Sequence, residues 1–148
     1  MNSVDIAYIF LCVAVGVAIA FQALLNASLG AFTRLNSFSA LMSFVVGFPV
    51  VIVYFLVESQ QVDGKYARAP WWSYLGGLLG AFYIVSVILT VRRLGAGVVL
   101  SVLVASQVIA SVTIDHFGVL DVVQRDATPG RIVGVALITV GAVLISIY

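Results

Sequence analysis

Charge is what this sequence has least of. Only 9% of its 148 residues are Asp, Glu, Lys or Arg, while 63% are hydrophobic; a soluble domain carries roughly 25% charged residues. Water is therefore not the solvent the chain is built for. Its seven Lys and Arg form no basic run longer than Arg92-Arg93, so nothing follows a phosphate backbone and nucleic acid is not an expected partner. The single cysteine, Cys12, excludes an internal disulfide and a thiolate metal cluster within one chain; it is expected to pack between helices. The single histidine, His116, stands beside Asp115, and no HExxH or GxSxG pattern occurs, so neither an enzyme nor a metal or cofactor site is expected. The amino terminus MNSVDIAY has no Lys or Arg before the first apolar run. That run is expected to be retained rather than cleaved as a signal, and neither end carries a lipidation pattern.

What remains is hydrophobic length, with a mean hydropathy of +1.20. There is room for four or five membrane helices and none for a further soluble domain of ordinary size. The most informative stretch is GAGVVLSVLVASQVIASVTIDHFG, Gly95 to Gly118. About twenty of its residues are uncharged, enough to cross a hydrocarbon core at roughly 1.5 Å per residue. Yet Ser106, Gln107 and Ser111 lie inside it. An amide or hydroxyl stranded in lipid costs several kcal/mol, so these three are expected to face other helices or a wet cavity. Charge returns at Asp115-His116, and Phe117-Gly118 turns the chain out.

Taken in order, the spans are expected near residues 5–27, 37–57, 71–91, 95–114 and 131–148, giving an all-α integral membrane bundle of five helices in one domain. From Ile6 to Thr33 no residue is charged, a run longer than a bilayer requires. Gln22 and Asn26 share a helix face there. They either carry polar groups into the bundle, or Asn26 marks the interface and ends the helix. The short connection Arg34-Leu35-Asn36-Ser37 predicts antiparallel neighbours. In the second span Ser43 and Gly47 allow close approach of another backbone, and Pro49 predicts a kink. Ser59 to Ala69 reads as a hydrophilic loop turning at Asp63-Gly64, with Lys65 and Arg68. Pro70 opens the third span and Trp71-Trp72 suit the headgroup belt. Gly76, Gly77 and Gly80 predict close packing, and Tyr83, Ser86 and Thr90 form a polar stripe. Ser and Thr also have the option of bonding back to the preceding turn, which the Tyr83 hydroxyl lacks. Val119 to Arg131 reads as a loop with Asp121, Arg125 and Asp126, and Thr128-Pro129-Gly130 as a helix start. Gly130, Gly134 and Gly141 give the last span a small-residue face suited to pairing within or between subunits.

With five spans, one side of the membrane holds Lys65, Arg68, Arg125 and Arg131 and the other Arg34, Arg92 and Arg93. Four against three is almost no bias, and orientation follows that bias. No internal repeat is visible. The expectation is an antiparallel homodimer whose second copy supplies the inverted repeat that larger transporters carry in one chain.

The stretches FQALLNASLG, PWWSYLGGLLGAFYIVS, LGAG and above all SQVIASVTIDHFG resemble the half-size bacterial drug/metabolite transporter family of the YdcZ type over nearly the whole chain. The last helix, GVALITVGAVLI, is similar to the dimerising helix of small multidrug resistance proteins, with Gly134 and Gly141 in the corresponding places. The resemblance implies a multi-pass bacterial inner-membrane protein moving small organic molecules by alternating access, as a homodimer or with a sister half-size chain. Two departures stand out. Ser106 precedes the helix-four glutamine where the family pattern carries glycine. The first span has Gln22 and Asn26 but no acid beyond Asp5 near its start, so the proton-for-cation exchange of small multidrug proteins lacks its titrating group.

The site expected from the residues is a cavity lined by Gln22, Asn26, Tyr83, Ser86, Gln107 and Ser111, whose neutral hydrogen-bonding groups suit a polar or amphipathic organic solute. At its mouth Asp115 and His116 have two readings. They gate or carry protons, or they form a solvated helix end whose carboxylate meets Arg93 or Arg125. A second functional class is a channel or non-transporting subunit whose polar residues only hold helices together.

Overall fold

A computed structural model describes residues 3–58, 70–119 and 123–148. The expected loop features Asp63-Gly64, Lys65, Arg68 and Asp121 lie outside them. The described residues are helical with no strand: α1 (Ser3–Thr33), α2 (Asn36–Glu58), a single 3₁₀ turn (Trp71–Tyr74), α3 (Leu75–Leu94), α4 (Ala96–Phe117) and α5 (Pro129–Ile147). Five helices are long and apolar enough to cross a membrane. Large apolar side chains line their outsides, among them Phe10, Val46, Leu78 and Leu137. Surface of that kind suits lipid rather than water.

The first helix runs beyond the expected span of residues 5–27, and the alternative in which Asn26 ends it is not the one the chain takes. Neither Gln22 nor Asn26 stops α1, which continues to Thr33. There the Thr33 hydroxyl donates to the Leu29 carbonyl at 2.8 Å, and Arg34 takes a left-handed backbone, φ 57°. Pro70 precedes a 3₁₀ turn closed by Ser73 N–H on the Pro70 carbonyl at 3.0 Å. Arg92 and Arg93 end α3 inside its last turn, where cations complement the exposed carbonyls.

The chain divides into two compact units, Met1–Arg93 and Leu94–Tyr148. In the first, α1 and α2 form an antiparallel hairpin and α3 runs parallel to α1. Gly30 meets Ile88, and Arg92 Nη1 reaches Asn36 Oδ1 at 3.3 Å, beside the α1–α2 turn. The seam is made of small residues: Ala23 and Ala27 on α1 and Ser39 and Ala40 on α2, with Val87, Ile88 and Val91 closing it from α3. Helices without a hydrophobic drive to associate approach each other through such residues. A Cβ at Gly30 would come within 2.8 Å of Asn36 Oδ1, so glycine is what allows that approach. By contrast, among the described residues nothing lies within 4 Å of a Cβ placed at Gly76, Gly77 or Gly80. Among the described residues no close packing is made on that face.

The second unit is the antiparallel hairpin α4–α5, with Val99, Ala105 and Ala142 buried. Gly118, at φ 60°, caps α4 by donating its N–H to the Ile114 carbonyl, the left-handed position that only glycine enters without cost. Thr128 caps α5, its hydroxyl accepting from Arg131 N–H, with Pro129 in the first turn.

Candidate functional site

Polar groups of the first unit gather where α1 faces α2 and α3. Asn26 is held twice by α2: Ser39 Oγ donates to its backbone carbonyl and Ser43 Oγ to its Oδ1, each at 2.6 Å. Ser39 and Ser43 lie one helical turn apart, so one face of α2 grips one residue of α1. Asn26 therefore spends its acceptor on helix pairing. From the sequence, Ser43 is expected only to allow close approach of another backbone. The i, i+4 spacing of Ser39 and Ser43 puts both on one face of α2, but does not name Asn26 as their partner.

Next to this clasp a narrow crevice is lined by Ile19, Gln22, Ala23 and Asn26 of α1 and Tyr83, Ile84 and Val87 of α3, with about 10 Å³ of free space. That is room for about one water. Gln22 also borders a wider groove of about 430 Å³, floored by α2 from Ser43 to Val51 and closed on one side by Ile84. A volume in the range of roughly 300–1,000 Å³ takes an organic molecule. The Gln22 amide and the Tyr83 hydroxyl make no hydrogen bond to any described residue, whereas the Thr90 hydroxyl bonds back to the Ser86 carbonyl at 2.7 Å. Ser86 is half-buried one turn beyond Tyr83 and borders neither space. The structure thus brings together Gln22, Asn26 and Tyr83.

Gln107 and Ser111 belong to the second unit, where both are exposed. Ser111 Oγ bonds back to the Val108 carbonyl at 3.0 Å, and Ser106 and Thr113 do the same on α4. The Gln107 amide has no such bond to a described residue. At the end of α4, Asp115 pairs with Arg131 of α5, and Arg125 N–H donates to the Asp115 carbonyl at 2.9 Å. The expected carboxylate partners were Arg93 or Arg125; Arg131 takes that place. Its guanidinium also reaches the carbonyls of Arg125 and Asp126, a fork suited to bridging several oxygens. His116 Nδ1 accepts the Ala127 N–H at 3.3 Å and lies 4.0 Å from Asp126 Oδ1, while Gln124 Nε2 donates to the His116 carbonyl. Asp115 and His116 thus both make contacts that hold the α4–α5 connection. Beside it lies a largely apolar hollow of about 260 Å³, bordered by Thr113, His116, Phe117 and Val135. Among the described residues nothing lies within 4 Å of a Cβ placed at Gly130, Gly134 or Gly141, and no three His, Cys, Asp or Glu gather as metal ligands.

Five apolar spans with amides and hydroxyls set within them define a polytopic membrane protein. Residues 7–144 match the family described as "Putative inner membrane exporter, YdcZ", and the chain belongs to that family. The inner membrane protein YdcZ of Escherichia coli (strain K12) is 40% identical over 76 residues, 51% of this chain and 50% of that protein. The chain thus spans about half the length of the relative it matches. No solved structure matches it. Family and spans together make this a multi-pass protein of the inner membrane.

Proposed function

We propose that the chain transports a small organic solute by alternating access, through a cavity lined by Gln22, Asn26, Tyr83, Ser86, Gln107 and Ser111 and completed by a second, oppositely inserted copy or a sister chain. The observation that carries this reading is the set of uncommitted polar groups within the spans. The Gln22 and Gln107 amides and the Tyr83 hydroxyl have no hydrogen-bond partner among the described residues, and such groups are costly against lipid. Gln22 stands at a groove large enough for a solute. The near balance of Lys and Arg between the two sides supports dual insertion. The open glycine face of α5, Gly130, Gly134 and Gly141, is suited to a partner helix. The proposed chemistry is carriage rather than catalysis, in keeping with a sequence that holds one histidine and no HExxH or GxSxG pattern.

A second reading has an observation of its own. The Ser39 and Ser43 bonds to Asn26 are helix glue, as in a channel or a non-transporting subunit. Reconstitution in liposomes with a panel of radiolabelled solutes separates the two. A carrier gives saturable uptake that Gln107→Leu abolishes without loss of expression. Uptake that never saturates favours the channel, and unchanged kinetics in Gln107→Leu removes that residue from the path.

A further inference from the structure

In the first unit, charge of one sign collects at one end. Arg34 follows the last residue of α1, α2 starts at Asn36, and α3 ends in Arg92 and Arg93, so all three arginines stand at the end that holds the α1–α2 turn. Each is exposed. The described acids of this unit, Asp5 in the first turn of α1 and Glu58 at the close of α2, lie at the opposite end. Among the described residues no carboxylate forms an ion pair with Arg34, Arg92 or Arg93, whereas Arg131 of the second unit has Asp115. Cations gathered without a counter-ion repel one another, and an anion from outside the chain relieves that repulsion.

The two arginines of α3 have different surroundings. Arg92 lies four residues after the buried Ile88, which meets Gly30, and its Nη1 donates to Asn36 Oδ1 at 3.3 Å. That bond takes one of five guanidinium donors, and no other hydrogen bond to a described residue takes the rest. Arg93 lies four residues after Leu89 and eight after Val85, both exposed, so an apolar stripe runs from it toward the middle of the span. Phe32 and Leu35, on either side of Arg34, are exposed as well. Cations at the end of a span, with bare hydrocarbon directly inward of them, match the order of groups in a phospholipid.

We infer that Arg34, Arg92 and Arg93 bind the headgroup of an anionic phospholipid, its phosphate bridged by the guanidiniums and an acyl chain lying along Leu89 and Val85. Guanidinium forks match phosphate oxygens in both charge and geometry. A free phosphate would meet the same arginines but would leave the apolar stripe unused. The inference is independent of the transport reading, since it needs neither a cavity nor a second copy.

To test it, the full chain is equilibrated in mixed micelles with equal amounts of dioleoyl phosphatidylglycerol and dioleoyl phosphatidylcholine. Excess lipid is removed on a column, and the ratio of the two lipids retained is measured by chromatography. One cation near an anionic lipid surface is worth about fivefold, so the wild type should retain phosphatidylglycerol at least about tenfold over phosphatidylcholine. Arg34→Gln combined with Arg93→Gln should lower that preference by about tenfold or more, and Arg93→Gln alone by about fivefold. Both variants leave the Arg92 bond to Asn36 in place, and glutamine at position 34 meets the same left-handed backbone that arginine does. Arg125→Gln removes a cation from the α4–α5 connection and should leave the preference within about twofold. Equal retention of the two lipids by the wild type overturns the site, as does a preference that survives the double substitution. A loss just as large in Arg125→Gln overturns it too, because net charge alone would then set the ratio. Inorganic phosphate in large excess, against chloride of equal ionic strength, should leave the ratio unchanged. A ratio that collapses under phosphate assigns the arginines to the free anion and overturns the lipid.

Discussion

Asn26 is committed to packing, while a polar residue one turn away on the same helix face is not. Its carbonyl and Oδ1 each accept a hydroxyl from α2, yet Gln22, one turn earlier on the same face, is committed to nothing among the described residues. Interhelical hydrogen bonds in membranes are worth about 0.6 kcal/mol on average and up to about 1.7. A double-mutant cycle with Asn26→Ala and Ser43→Ala, read by unfolding in mixed micelles, should give a coupling in that range. The Ser39 bond is to the backbone and survives both substitutions, so the cycle isolates the side-chain pair. Zero coupling would mean that the clasp does not form in the folded protein.

At the scale of elements, the two hairpins are closed by different devices. The α1–α2 turn is tight and carries its strain at Arg34. The α4–α5 connection is pinned by Asp115 and Arg131, each about one quarter to one third exposed (26% and 30%). Asp115→Asn should therefore destabilise modestly, by about 1 kcal/mol, because Arg131 keeps its two carbonyl bonds. In a fluorescence melt this is a fall in Tm of about 2–4 °C. An unchanged melt together with lost uptake would move the pair from anchoring to gating. The α1–α2 hairpin and most helix ends were legible in the sequence, because charges, Pro70, Pro129 and the short polar turn mark where a span has to stop; the α4–α5 pairing was not. The length of α1 was not either: in one of two readings Asn26 ended the helix, but held by Ser39 and Ser43 of α2 a polar residue need not leave the membrane. Nor was the partner of Asp115, since Arg131 lies 16 positions on and only the fold of the intervening loop brings it close. Of the expected cavity, the meeting of Gln22 and Asn26 with Tyr83 could be anticipated only as a list of polar residues, because spacing along one helix does not say which face another helix presents.

On the scale of the whole molecule, burial among the described residues is confined to short seams of alanine, Ser39, a few valines and Ile88, and the helices otherwise present apolar surface. A membrane protein of this kind is stabilised by lipid on its outside and by close backbone approach within. In the proposed topology Lys and Arg number four on one side and three on the other, a balance that gives insertion no strong direction. A carboxy-terminal reporter active on both sides of the membrane is the expected outcome, and activity on one side alone would rule out the antiparallel homodimer.

The central claim is that the polar groups within the spans face a wet hollow. Because Cys12 is the only cysteine, its replacement by alanine allows single cysteines at positions 22, 26, 83, 86, 107 and 111 to be probed in proteoliposomes with a membrane-impermeant maleimide. The account predicts labelling at these positions and none at the exposed apolar controls Val50 and Leu78. Cysteines at the six positions that resist labelling as the controls do would contradict it.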